Sequence, residues 1–235
     1  MSSKAMSPIQ NMFAEVPATY ELVNHVLTFG LDIIWRRKAA RIAAKAGGAQ
    51  WVDMCTGTGE MAVYLSRLAP EGTEIYAVDF CESMMDKARR KPHAESIHFV
   101  AADITALPFE DETFDLVTMS FATRNINVSK EKLIQSFSEY YRVLKPGGRF
   151  VNLETSRPPF WPIRKGFDLH IKLFVAQIGG RISGCPTAYA YLAKTIGRFY
   201  TAEALAGIMQ QAGFDEVTFK RLLFGAAAIH QAVKC

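Results

Sequence analysis

No run of apolar residues in this sequence approaches the ~18 a bilayer-crossing helix needs, which excludes an integral membrane protein built on such helices. Its four cysteines, Cys55, Cys81, Cys185 and Cys235, form no CxxC pair and no metal-ligand spacing, so neither a disulfide framework nor a zinc site is expected. The five histidines are equally scattered, and no metal is expected from them. A dominant charge is missing too. The 27 Lys and Arg face 23 Asp and Glu for a net +4, too mild for a nucleic-acid partner. No repeat or low-complexity tract appears. The opening MSSKAMSPIQNM is polar rather than signal-like, so a soluble cytoplasmic protein is expected, with peripheral contact to a membrane left open.

What is present is a core-forming composition. Of 235 residues, 49% are hydrophobic and 21% charged, enough for one large domain. Residues 16–46 read as two helices separated by Gly30, the second ended by Gly47-Gly48. From residue 50 the pattern alternates. QWVDMC, TEIYAVDF, SIHFVAAD, TFDLVTMSF and RFVNLETS read as buried strands. EMAVYLSRLA, ESMMDKARRK and KEKLIQSFSEYYRVL read as helices, the last stopped by KPGG. Alternation of this kind predicts an α/β fold with a Rossmann-like, mostly parallel sheet. Residues 157–183 break the rhythm with RPPFWP and an amphipathic segment, IRKGFDLHIKLFVAQIGG. EVTFKRLLF and AAAIHQAVK then read as an antiparallel hairpin around Gly225. The expected organisation is an N-terminal helical cap over 1–46, a cofactor-binding core over 47–156 and a helical lid over 157–200. Residues 201–235 would complete the sheet.

The turn Thr56-Gly57-Thr58-Gly59 lies between the first strand and its helix. Glu60 follows Gly59, so the Gly-Lys-Ser/Thr of a phosphate loop is absent. Gly57, Gly59 and Ala62 fit a dinucleotide fingerprint with alanine last, and Asp79 stands about twenty residues on, where ribose hydroxyls are bound. Asp53 and Glu60 flank the turn. A pyrophosphate prefers a bare helix N-terminus, whereas carboxylates favour an ammonium or a sulfonium. S-adenosylmethionine has both and no phosphate. Asp103, after the third strand, suits its adenine amino group. Plain turn and cap roles for Gly57, Gly59, Asp79 and Asp103 stay open, as does an NAD-dependent oxidoreductase.

VDMCTGTGE, IYAVDF, HFVAADITALPFEDETFDLVTMSFATRN and YRVLKPGGRFVNLETS together resemble a class I S-adenosylmethionine-dependent methyltransferase. FAEVPATYELVNHVLTFGLDIIWRRK, the TRN after the fourth strand, AYAYLAKTI and GAAAIHQAVK narrow the resemblance to the ubiquinone/menaquinone biosynthesis C-methyltransferases, from about Phe13 onward. The resemblance implies C-methylation of a polyprenylated quinol, demethylmenaquinol foremost, with another lipophilic aromatic ring as the alternative. It implies that Thr58 contacts the methionine end of the cofactor, Asp79 the ribose, Asp103 and Ile104 the adenine, and Ser120 the region of the methyl group. Arg124 takes the place of a residue that assists substrate deprotonation, and Tyr20, Asn24 and Tyr189 are candidate substrate contacts. Glu21, Cys55, Ala122 and Thr155 depart from the family pattern, and Ala122 and Thr155 are expected on the substrate side.

An arginine is a poor base but a fixed cation, so Arg124 is expected to stabilise a quinolate. Tyr141 and Glu154 are further candidates for substrate contact or proton relay. The aromatic, basic lid fits an interfacial segment, and the helix carrying Trp35, Arg36, Arg37, Lys38, Arg41 and Lys45 fits a contact with anionic headgroups; ordinary amphipathic helices covering the core, with solvated basic faces, stay open for both. A homodimer is left open.

Overall fold

The structure, a computed structural model, describes residues 20–179 and 186–235. Seven strands form one sheet: β1 Gln50–Met54, β2 Glu74–Asp79, β3 Ile97–Ala101, β4 Phe114–Ser120, β5 Leu144–Thr155, β6 Glu216–Leu222 and β7 Ala227–Val233. Their order is β3-β2-β1-β4-β5-β7-β6. The first five pair in parallel, and β7 is antiparallel to both β5 and β6. The order reverses between β1 and β4, and the crevice beyond the carboxyl ends of these strands is where open α/β sheets bind ligands.

The helices are α1 Tyr20–Leu27, α2 Leu31–Ala43, α3 Glu60–Ser66, α4 Glu82–Arg89, α5 Thr123–Ile126, α6 Lys130–Val143, α7 Trp161–His170, α8 Pro186–Gly197 and α9 Ala202–Gln211. One face of the sheet packs against α6 and α9 through Phe114, Phe137, Tyr140, Phe150 and Phe214. The ring of Phe150 lies 5.5 Å from Phe137, 5.3 Å from Tyr140 and 5.7 Å from Phe214. Each such burial removes a large apolar area from water and stabilises by roughly 1.5–3 kcal/mol. The other face packs against α2 and α3 through Trp35, Ala39, Ala40, Trp51, Leu65, Leu116 and Ile229. The small residues on α2 bring its backbone close to the strands.

Gly48 ends the α2 region because nothing larger fits there. Its φ is +77°, and a Cβ would stand 2.2 Å from Cγ of Asp115. That carboxylate accepts the N–H groups of Ala49 and Gln50, both at 2.9 Å, and thereby fixes the entry to β1.

Three features differ from the sequence expectation. Leu144 leaves α6 directly into β5, so KPGG is the irregular start of a strand, with a register shift opposite Phe114 and Leu116. α5 was not anticipated, because four residues carry no readable periodicity. α7 widens into a π-helical stretch, Ile171–Gly179, where a regular helix was expected. Val23 and Leu27 of α1 pack with Ile171 and Val175, and Phe167, Leu192 and Ile196 close the cluster. α1 therefore packs with α7, the π-helical stretch and α8, whereas α2 packs on the sheet.

Candidate active site

The polypeptide turns sharply after β1. Cys55 has φ +52°, Gly57 +55° and Gly59 +78°. A Cβ on Gly59 would lie 2.6 Å from Cβ of Ala88, so the turn presses directly on α4. Gly59 is the N-cap of α3, with no side-chain hydrogen bond capping the helix's first amides. A cavity of about 320 Å³ opens there. Gly57, Thr58, Glu60, Asp79, Asp103, Ile104 and Ser120 line it, so the structure brings together most of the residues expected at the cofactor.

Asp79, at the end of β2, is buried. Its Oδ2 accepts the Gly57 N–H at 2.8 Å and its Oδ1 the Cys81 N–H at 2.9 Å. Burial raises its pKa, and the surrounding backbone N–H groups oppose that rise. Asp103 is exposed and accepts both the N–H and the hydroxyl of Thr105, at 2.9 and 2.7 Å.

Asp53 stands elsewhere. It lies beneath the turn, outside the cavity lining, and its two oxygens accept the hydroxyls of Thr56 at 2.7 Å and Thr118 at 2.8 Å. Burial pushes its pKa up to about 7. Its carboxylate braces the turn from below. The carboxylates that face the cavity are Glu60, Asp79 and Asp103.

This donor set suits S-adenosylmethionine. Two carboxylates, Asp79 at the end of β2 and Asp103 just after β3, stand on the cavity wall. No cation stands in the glycine turn to neutralise a pyrophosphate. Of the two cations lining the cavity, Arg36 and Lys132, Arg36 is already balanced by Asp32 and Glu60.

A second cavity, about 450 Å³, adjoins the first. Its walls are mostly apolar, lined by Leu27, Phe29, Trp35, Ile163, Phe167 and Val175. Asn24, Arg124 and Thr155 supply polar atoms. Arg124 is buried on α5, and its Nη1 donates to Glu154 Oε1 at 3.3 Å and to Thr155 Oγ1 at 3.1 Å. Glu154 is fully buried and also accepts the Arg124 N–H at 3.1 Å. Glu154 thus anchors the arginine and does not reach the cavity. Thr155 is on this side as expected, whereas Ala122 lines the first cavity. Tyr141 packs against Phe214 and Lys234, away from both. The side chains of Tyr20 and Tyr189 lie outside the described residues.

Arg36 and Trp35 also differ from expectation. Both are buried, so the basic face of α2 available to an anionic surface lacks them. Arg36 Nη1 meets Asp32 Oδ2 at 2.6 Å and Glu60 Oε2 at 3.1 Å. His25 Nδ1 approaches the same Asp32 oxygen at 2.8 Å. Glu21, on α1, pairs with Lys91 and so ties the cap across to the end of α4. The i,i+4 spacing of Asp32 and Arg36, on the helix face that carries Ala39, Ala40 and Ala43, was the available signal.

The strand order and the glycine turn at its reversal define the class, a Rossmann-like methyltransferase fold. A solved S-adenosylmethionine-dependent methyltransferase from Thermotoga maritima shares it, with a TM-score of 0.62 and 20% identity, over 97% of this chain and 100% of that one. A demethylmenaquinone methyltransferase of Thermus thermophilus is 41% identical over 221 residues, 93% of this chain and 98% of that protein. A ubiquinone/menaquinone biosynthesis C-methyltransferase of Yersinia pestis is 36% identical over 230 residues, 96% of this chain and 90% of its own. The chain belongs to the ubiE/COQ5 methyltransferase family, which matches residues 1–234. The oxidoreductase reading left open by Gly57, Gly59 and Ala62 is thereby set aside. No helix among the described residues is long and apolar enough to cross a membrane.

Proposed function

We propose that this protein is an S-adenosylmethionine-dependent C-methyltransferase acting on a lipophilic quinol, demethylmenaquinol in particular. The observation that carries the reading is the pairing of two cavities. One is rich in carboxylates beside a glycine turn. The other is mostly apolar, carries two buried arginines, Arg36 and Arg124, and adjoins the first. The name of the Thermus thermophilus relative supports that acceptor, and the Yersinia pestis name supports a quinone-type one.

Asp79 would hold the ribose, Asp103 and Ile104 the adenine, and Thr58 with the first amides of α3 the methionine end. Ser120 would line the region of the methyl group. When bound, the cofactor supplies an electrophilic methyl on a sulfonium, which departs as a neutral thioether. The acceptor carbon must lie roughly 3 Å from that methyl and in line with the sulfur, so orientation supplies much of the acceleration. The apolar walls hold the ring and exclude water, which strengthens every polar contact made to it. An oxygen on the ring raises the carbon's electron density, most of all as an oxyanion, and fixed guanidinium donors such as Arg124 stabilise that charge. The ring proton replaced by the methyl leaves to solvent.

A prenyl tail needs a way out to lipid. Phe160 and Trp161 are 65% and 62% exposed at the start of the cap, with Lys165 stacked on Trp161 at 4.3 Å. Phe29 and Phe224, on the edge of the second cavity, are 70% and 74% exposed. We read this rim as a peripheral membrane contact; a homodimer is compatible with it.

The deciding experiment incubates the purified protein with methyl-labelled S-adenosylmethionine and demethylmenaquinol in detergent or vesicles. Label is expected in menaquinol. No transfer to that ring, with transfer to another prenylated ring, would reassign the acceptor.

A further inference from the structure

Among the described residues, two side chains line both cavities: Arg36 and Phe121. They stand where the two cavities meet. Both are held in unusual ways. Phe121 follows β4 with φ +55°, a conformation that costs a non-glycine residue of order 1 kcal/mol or more and that persists only where the surroundings enforce it. Its N–H is fixed by Leu153 O at 2.8 Å. The Arg36 guanidinium lies over its ring, 4.9 Å from the centroid.

His25, Asp32 and Glu60 around Arg36 resemble a metal site, their ligand atoms lying within 4.8 Å of one another. The arginine already supplies the cation, since Nη1 bonds Asp32 and meets Glu60. Those two carboxylates cancel much of its charge, so Arg36 acts as a fixed, directional donor more than as a field. Its protein contacts leave from Nη1 alone, while Nε is buried without a partner. Nη2 makes no hydrogen bond to the described residues. A buried guanidinium held rigidly by one nitrogen and left open at another, on the wall of an apolar cavity, is built to receive an oxygen.

We infer that Arg36 binds the acceptor oxygen adjacent to the carbon that receives the methyl group. This rests on the proposed acceptor class. Arg124 lines only the second cavity and cannot reach the junction in the same way, so it serves a part of the ring farther from the cofactor. Arg36 would therefore choose which ring edge faces the methyl, and so determine regiochemistry.

The test uses two short-chain prenylated naphthols, each bound to the protein saturated with S-adenosylhomocysteine. One carries its hydroxyl next to the free ring C–H, the other next to the prenyl group. A charge-assisted hydrogen bond predicts that the wild type prefers the first by about tenfold to a hundredfold. Arg36→Lys keeps a cation for Asp32 and Glu60 but lacks a second terminal nitrogen, and it should reduce the preference to within about twofold. Arg124→Lys should keep or widen the preference, since the donor it loses serves the far side of the ring. A merely structural Arg36 would weaken both ligands alike, so a preference that survives in Arg36→Lys overturns the assignment. A wild type that binds both naphthols equally also overturns it. A wild type that binds neither naphthol, while binding S-adenosylhomocysteine, removes the acceptor class, and this inference with it.

Discussion

The Gly57 N–H donates to Oδ2 of Asp79 at 2.8 Å, across 22 residues of sequence. One carboxylate thus shapes the glycine turn and faces the cavity that the turn encloses. Cys81 N–H holds the other oxygen at 2.9 Å, so the side chain cannot rotate away without breaking both bonds.

Replacement of Asp79 should therefore remove ligand contacts and loosen the turn together. Asp79→Ala is expected to weaken S-adenosylhomocysteine binding by at least ~30-fold, the scale of losing charge-assisted hydrogen bonds. Asp79→Asn, which keeps one acceptor, should fall between. Because burial raises the Asp79 pKa, acidification should weaken binding in the wild type from above the ordinary carboxylate range. Calorimetric titration measures both effects, and affinity within twofold of wild type in Asp79→Ala would place the residue outside the site.

The buried pair of Arg124 and Glu154 leads to a second expectation. Removing one partner leaves an uncompensated charge with 0% exposure at Glu154, which costs about 3–5 kcal/mol. Arg124→Ala should lower Tm as well as turnover, and turnover alone would then say little about chemistry. Arg124→Lys retains the charge pairing. It should keep S-adenosylhomocysteine affinity within about twofold, since Arg124 does not line the cofactor cavity. With demethylmenaquinol its kcat should fall about tenfold or more, the scale of one lost donor to a charged oxygen. Unchanged kcat would show that the residue only anchors α5.

The sheet was legible because buried parallel strands read as short continuous apolar runs, and each of the seven strands was anticipated within a few residues. Gly57, Asp79, Asp103 and Ser120 were expected together, and the structure does bring them to the wall of one cavity at the carboxyl edge of the sheet. Asp53 was harder. It is one residue among the buried positions of β1, and sequence does not say that Thr56 and Thr118 will claim both its oxygens. Arg36 was hidden in the basic run of α2, where its tie to Glu60 crosses between helices that no local pattern links. The cap was least legible: His170 bonds Leu27 O at 3.0 Å over 143 residues, a contact that only tertiary packing creates.

His230 provides a pH test of the core away from both cavities. It sits on β7 with Nε2 at 2.9 Å from Ala202 O, so Nε2–H donates and Nδ1 is left buried without a partner. Burial lowers its pKa from 6.5 to about 4. The folded state therefore keeps the ring neutral where the unfolded chain takes up a proton. Its contribution is complete above pH 6.5 and is lost as pH falls toward 4, by roughly 3 kcal/mol in all. Asp53 opposes this. Its pKa, raised from 3.8 to about 7, means that the fold holds a proton the unfolded chain releases, so its contribution declines as pH rises through that window. Between pH 4 and 6.5 these two contributions slope in opposite directions. His230→Gln, whose amide can still donate to Ala202 O, removes one slope and leaves the other. Denaturant titrations should show the variant gaining stability relative to wild type as pH is lowered through this range. Parallel curves for the two proteins would mean that the ring is protonated as readily in the fold as outside it.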